Sequence, residues 1–211
     1  MQTNDSTINN KTYKCRKVIL DVMKRQGYDV SEYEVFSENE VNTMRTNEQL
    51  DMILKKTDDT TSLERKIYIK YYILKTLREN ILQGMIDDLF ETGELSKEDT
   101  LYVIIKNTIN DKLVGVVKHI WETRGIHIVL QNLDHLQFNK LDCAYVPMHS
   151  VMTKKEEALV KQKYHLVEEE FPTISRFDAI GSLIALRPGD ICKIIRPNKT
   201  GITELYYRIC V

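Results

Sequence analysis

The residues best placed to do chemistry by themselves are Glu64-Arg65-Lys66. An acidic residue two positions ahead of a lysine can hold a divalent metal while the lysine orients or activates a water. That chemistry needs a second carboxylate, in the usual arrangement the aspartate of a Pro-Asp step on an adjacent strand. No proline precedes Pro147, and Asp58 and Asp59 stand in a polar stretch. In a chain with 29% charged residues such a triplet is common. A surface charge cluster is its plainer meaning, and no catalytic residue is assigned.

The other reactive side chains form no constellation. Cys15, Cys143, Cys192 and Cys210 are scattered, with no C-x-x-C and no zinc-ligand spacing to His119, His127, His135, His149 or His165. The histidines form no H-E-x-x-H, and no Ser or Cys nucleophile has a legible partner. Reduced and mostly buried cysteines are expected, with no metal and no cofactor. Residues 1–140 carry 20 basic against 22 acidic side chains and residues 141–211 carry 10 against 9, for a net charge of −1. Affinity for a phosphate backbone needs clustered Lys and Arg, so neither half is a basic nucleic-acid-binding domain. A local patch such as Lys14, Lys17, Lys24 and Arg25 ordinarily means a solvated face. No apolar run approaches the roughly 18 residues that span a bilayer, and the polar opening from Met1 to Lys11 has no signal-peptide core. The reading is a soluble intracellular chain, long enough for one good core or two modest domains.

The elements that would position these residues follow from periodicity. Cys15, Val18, Ile19, Val22 and Met23 share one side of a helix over about Thr12 to Gln26, with Lys14, Lys17, Asp21 and Arg25 left to water. Gly27 is placed to end it in a left-handed cap. Ser37 and Glu40 form a capping pair, and Leu50, Ile53 and Leu54 the next apolar cluster. After a polar break at Lys56 to Thr61, Ile67, Ile69, Tyr71 and Ile73 alternate as in a strand, and Leu77, Ile81, Met85 and Leu89 recur as in a helix. Leu101 to Ile105 is a second strand, Leu113 to Trp121 a second helix, and Ile126 to Leu130 a third strand after Gly125. Strands alternating with helices imply a helix-covered sheet, an α/β layer within an α+β whole.

The last third holds all four prolines. Pro147 is expected to stop a preceding strand. Thr153 and Glu156 have capping-box spacing ahead of an apolar stripe of Ala158, Leu159, Val160 and Tyr164, in a helix ending near His165, before Glu168-Glu169-Glu170 and Pro172. Arg187-Pro188-Gly189-Asp190 suits a tight turn feeding a strand from Ile191 to Arg196. Pro197 to Gly201 turns the chain back, and Leu205, Tyr207, Ile209 and Val211 alternate against Glu204, Tyr206, Arg208 and Cys210.

In this last third the series V-P-M-H, T-K-K-E-E, K-Y-H-L, F-P-T-I, D-A-I, L-R-P-G-D-I-C-K-I-I-R-P and Y-R-I-C-V resembles the C-terminal assembly domain of the fifth subunit shared by eukaryotic RNA polymerases I, II and III. The corresponding archaeal polymerase subunit is that domain standing alone. The colinearity runs over about 65 residues and weighs more than any short motif. Departures mark a divergent copy. Ala179 follows Asp178 where the family has proline, an Arg or Leu is expected near Ser182, a glycine where Ala185 stands, and Gly201 sits about one position early. Arg16-Lys17-Val18 to Gly27-Tyr28 is similar, over a short and weakly specific stretch, to the first helix of the family's N-terminal jaw domain.

The resemblance implies an N-terminal jaw domain over residues 1–140, related in fold to restriction endonucleases but lacking their chemistry, and a C-terminal α+β assembly domain over 141–211. It implies a non-catalytic subunit of a multisubunit DNA-directed RNA polymerase, catalysis belonging to other subunits. Its partners would be the largest subunit, which the C-terminal domain docks on, other subunits, downstream duplex DNA near the jaw, and transcription regulators, with no membrane. Candidate family-pattern or interface positions are Pro147, His149, Pro172, Asp178, Gly189, Asp190, Lys193, Arg196, Tyr207 and Arg208. Structural roles compete at each: turns for the prolines and glycine, a cap for Asp190, core for Tyr207. The alternative is a restriction-endonuclease-like, metal-dependent nuclease using Glu64 and Lys66. A cellular polymerase implies the nucleus. Asn-rich segments also fit a large DNA virus, which implies virions and cytoplasmic factories.

Overall fold

A computed structural model describes residues 2–57, 64–165, 170–198, 200–201 and 203–211. Helix α1 (Gln2–Arg25) opens the chain and buries Cys15, Ile19, Val22 and Met23. It starts about ten residues ahead of the expected Thr12. The Asn and Thr residues there cost a helix less than about 0.7 kcal/mol each, and Thr12 donates its hydroxyl back to Ile8 O at 2.8 Å. Gly27, at φ +86°, lets Tyr28 N return to Met23 O and close the helix. Helix α2 (Glu38–Thr46) carries the Ser37/Glu40 capping box.

Strands β1 (Met52–Thr57), β2 (Glu64–Tyr72), β3 (Thr100–Ile105) and β4 (His127–Asn132) form one sheet in that order, β1 antiparallel to β2 and the rest parallel. Helices α3 (Glu79–Glu91) and α4 (Asp111–Arg124) are the crossovers. They cover one face through Leu82, Ile86, Val117 and Ile120 against Leu101, Val103 and Ile128. Helix α1 covers the other through Ile19 and Met23, in a cluster with Ile67, Ile69, Tyr102 and Ile104. Strand β3, buried at every residue, lacks the in-out alternation of a half-exposed strand because helices sit on both faces. Each large apolar side chain buried this way stabilises the fold by roughly 1.5–3 kcal/mol. The polar break expected at Lys56 to Thr61 falls mostly outside the described residues.

Two short 3-10 turns, Leu133–Leu136 and Lys140–Asp142, lead to a second sheet. It contains β5 (Met148–Val151), β6 (Thr173–Ile174), β7 (Ile191–Pro197) and β8 (Thr203–Cys210) in the order β5-β7-β8-β6. Helix α5 (Lys154–Tyr164) follows β5, starts on the Thr153/Glu156 capping box and ends with His165 at φ +54°. Three expectations are corrected here. Turns, not a strand, precede Pro147, which instead leads into β5. On α5 only Val160 of the expected stripe is buried, while Leu159 and Tyr164 are exposed, as is Ala158, and Glu157 is buried in their place. The alternation in β8 does not separate core from solvent: adjacent Ile209 and Cys210 are both buried, because that end of the sheet is covered on both faces. Of the acidic run, Glu168 and Glu169 lie outside the described residues.

Candidate interaction surface

The second sheet has two unlike ends. At one end, Arg187-Pro188-Gly189-Asp190 turns tightly, with Asp190 N donating to Arg187 O at 3.0 Å and Gly189 at φ +90°. The turn delivers Asp190 into the junction between the sheets, where its side chain is 5% exposed. Its carboxylate accepts from Arg65 of β2 and from Lys154 of α5, each at 3.1 Å. Lys154 also donates to buried Glu157, whose carboxylate accepts from Ile191 N at 3.1 Å. Burial alone would lower the Lys154 ammonium pKa, but Asp190 and Glu157 outweigh it and the net shift is upward. Arg187 crosses the same junction, donating to Glu98 O and Lys97 O and stacking on Trp121 at 5.1 Å. The face of the second sheet toward α1 and the first sheet contributes Cys192, Ile194 and Cys210 to the shared core.

At the other end the sheet stands clear. Met148, Ile195 and Leu205 occupy neighbouring register positions on β5, β7 and β8 and so line up across one face. Leu205 is 46% exposed and Met148 59%. On the opposite face Arg196 and Arg208 lie over Tyr206, at 4.7 and 5.8 Å from its ring.

The ten positions of the family pattern separate into groups. Lys193, Arg196, Tyr207 and Arg208 lie together on β7 and β8, Lys193 paired in register with Tyr207. Tyr207 is half-buried against the Phe171 cluster and near Tyr164, so it is not fully core. Arg208 donates to Thr173 O at 3.1 Å. Gly189 and Asp190 sit at the junction, where Asp190 is the centre of an ion-pair cluster. Pro147 and His149 belong to the entry of β5, His149 Nδ1–H donating to Pro147 O. Pro172 O accepts from Ile209 N at the sheet margin. Asp178 accepts from Ile180 N and Gly181 N and so shapes a turn. In that same segment Ala185 stands at φ +54°, a left-handed conformation that glycine adopts without strain. Sequence reasoning missed Arg65, Lys154 and Glu157 as partners in the Asp190 cluster, along with Leu205, Tyr206 and Met148 at the exposed end. Only the apolar and aromatic run Leu205-Tyr206-Tyr207 in the first part of β8 hinted at the latter.

Several of the remaining reactive groups are buried or held by neighbours in the fold. Burial pushes the Cys192 and Cys210 thiols up to about 12, while Cys143 is exposed. The triplet Glu64-Arg65-Lys66, whose spacing suits metal chemistry, begins β2. Its Arg65 is held by Asp190, and Lys66 donates its N–H to Asp99, whose other oxygen accepts from Ser96 N and Oγ. That neighbouring carboxylate therefore fastens the loop into β3. The basic patch on α1 is crossed by carboxylates: Lys24 pairs with Glu34, and Arg25 with Asp21 and Asp142.

Comparison with known proteins draws on the stretch that holds the second sheet. Residues 138–210 match the family described as RNA polymerase Rpb5, C-terminal domain. The chain is 22% identical over 202 residues to DNA-directed RNA polymerases I, II, and III subunit rpabc1 of Dictyostelium discoideum, spanning 96% of this chain and 98% of that one. Subunit RPABC1 of Caenorhabditis elegans is 36% identical over 76 residues, 36% of each chain. DNA-directed RNA polymerase subunit Rpo5 of Methanococcoides burtonii is 32% identical over 75 residues, 36% of this chain and 96% of the archaeal one. These relatives give the nuclease alternative no support. With an archaeal relative matched almost end to end, the chain belongs to the Rpb5 family of RNA polymerase subunits.

Proposed function

We infer that the chain acts in DNA-templated transcription as a non-catalytic subunit of a DNA-directed RNA polymerase, with other polymerase subunits as its partners. The observation that carries this is the near-complete match to an archaeal subunit, together with a match along 98% of a eukaryotic one. In this reading residues 141–211 are the assembly unit and dock on the largest subunit. Residues 1–140 form part of the lower jaw, beside downstream duplex DNA and within reach of regulators. Its near-neutral charge supports DNA contact only as part of a larger assembly. The eukaryotic relatives support a nuclear location in a cell, and a large DNA virus would place the same subunit in virions and cytoplasmic factories.

The test is affinity purification of the tagged full-length chain from its native source at moderate salt, followed by identification of co-purifying chains and an assay for templated RNA synthesis. Co-elution of the largest polymerase subunit with activity is the expected result. Elution alone, with magnesium-dependent DNA cleavage lost in Glu64→Gln, would overturn the reading. A photo-crosslinker at Lys14 in the assembled elongation complex tests the jaw placement, with crosslinks to downstream duplex expected.

A further inference from the structure

The ladder between β7 and β8 uses the even-numbered residues of β8. Cys210 N donates to Asp190 O and its carbonyl accepts from Gly189 N, and the pairing continues through Cys192↔Arg208, Ile194↔Tyr206 and Arg196↔Glu204. Strand alternation turns the N–H and C=O of the odd-numbered residues to the other side. There Ile209 N donates to Pro172 O and Val211 N to Ile174 O, and β6 goes no further. The donor a parallel ladder would next need, to reach Tyr207 O, is an N–H on Pro172, which proline lacks. Thr203, Leu205 and Tyr207 therefore present backbone donors and acceptors at an edge with no paired strand among the described residues.

An unpaired edge alone is an ordinary way for a sheet to end, but the two faces beside this one give it chemistry. On one face the row of exposed Met148, half-buried Ile195 and exposed Leu205 reaches the edge, and half-buried Tyr207 and exposed Tyr164 extend the apolar surface along it over the buried Phe171. On the other face Arg196 and Arg208 stack on Tyr206, Glu204 stands opposite Arg196 in the register without closing to an ion pair, and Arg208 donates to Thr173 O. Resting on the subunit reading above, we propose that the β8 edge takes an extended segment of another polymerase subunit as an added strand, one that alternates apolar and acidic side chains. Its apolar residues continue the Leu205 and Tyr207 face, its carboxylates meet Arg196 and Arg208, and its backbone completes the bonds of Thr203, Leu205 and Tyr207.

The test reads the parity of the edge. Residue-resolved amide hydrogen exchange is measured on the free full-length chain and on the same chain within purified polymerase. In the free chain, Tyr206 and Arg208 amides should be protected, while those of Leu205 and Tyr207 exchange at least about 100-fold faster; in the polymerase all four should be protected. A Leu205→Pro variant removes one outward N–H and no ladder bond, and should be retained in the polymerase at least about 10-fold less than wild type, whereas Leu205→Val should be retained normally. Arg196→Glu with Arg208→Glu should also lose retention. If the chain assembles but Leu205 and Tyr207 exchange as fast as when free, the edge proposal falls and the subunit reading stands. If the chain does not assemble with polymerase subunits, both fall. Concentration-dependent protection of the edge in the free chain would make a second copy the occupant and would overturn the proposal. Should Leu205→Pro misfold, the wild-type exchange comparison decides.

Discussion

At Asp190 one carboxylate answers cations from two distant parts of the chain, Arg65 on β2 and Lys154 on α5. Removing its charge leaves both cations short of a partner beside the buried Glu157 cluster. Breaking a fully buried pair costs about 3–5 kcal/mol, and since Arg65 and Lys154 are 27% and 47% exposed, water recovers part of it. Asp190→Asn should therefore lose about 2 kcal/mol in urea unfolding, and a loss under about 0.5 kcal/mol would deny the cluster a role in stability. His127 gives a separate handle at the same scale. Burial, then the positive charge of Arg187, hold its imidazole pKa down to about 3, and its Nδ1 lies 3.1 Å from Thr100 Oγ1. The unfolded chain binds a proton near pH 6.5 that the folded chain refuses, so this contribution is whole above that pH and is lost progressively as pH falls toward about 3. Between pH 6.5 and 5, ahead of most carboxylate titration, the decline should reach about 2 kcal/mol. Urea midpoints across that window should flatten in His127→Gln, and an unchanged slope would show that another group carries the effect.

Among the elements, α5 depends most visibly on its cap. Thr153 Oγ1 accepts from Glu156 N at 3.3 Å while the Glu156 carboxylate accepts from Thr153 N at 2.9 Å. Thr153→Ala should cost about 1 kcal/mol in urea unfolding, and Thr153→Ser should recover most of it. This box could be read from spacing alone because both partners lie within three residues. The parallel core strands and their crossover helices could be read for a similar reason: a strand buried on both faces still shows as a short β-branched run between helical periods. What failed was decided at a distance. Glu157 is buried on α5 because the Ile191 N–H and Lys154 meet it there, and a stripe inferred from Ala158 and Leu159 has no means of registering that. Cys210 is buried opposite Ile209 because the first sheet and α1 close over a face that alternation alone would give to water. The ion pair of Arg65 with Asp190 spans 125 residues, so nothing local marks it. The resemblance drew attention to Asp190 but could not say that it holds Arg65 and Lys154.

For the whole molecule, the two sheets do not have separate interiors. Ile174, Leu183, Ile184, Leu186, Cys192, Ile194 and Cys210 from the C-terminal part belong to the same buried cluster as Ile19, Met23, Leu54, Ile69 and Tyr102 from the N-terminal part. Arg65 with Asp190, and Arg187 with Trp121, cross the same junction. Apolar area shared this way is lost to both parts at once when either opens, which couples their unfolding. Full-length protein should therefore unfold in urea as one transition. Trp121, the chain's one tryptophan, would report α4 and the junction by fluorescence, and far-UV circular dichroism would report both sheets; the two curves should coincide. Cutting the chain at the start of the family match should uncover Leu183, Ile184, Leu186 and Ile194 together. At roughly 1.5–3 kcal/mol for each large apolar side chain returned to water, that loss is comparable to the roughly 5–15 kcal/mol that holds a typical domain together. A fragment of residues 138–211 should thus be mostly unfolded where the full chain is native, although an archaeal relative consists of little else. Two separated transitions, or a fragment as resistant to urea as the full chain, would mean that the second sheet is stable by itself and that the shared cluster is a docking contact between independent folds.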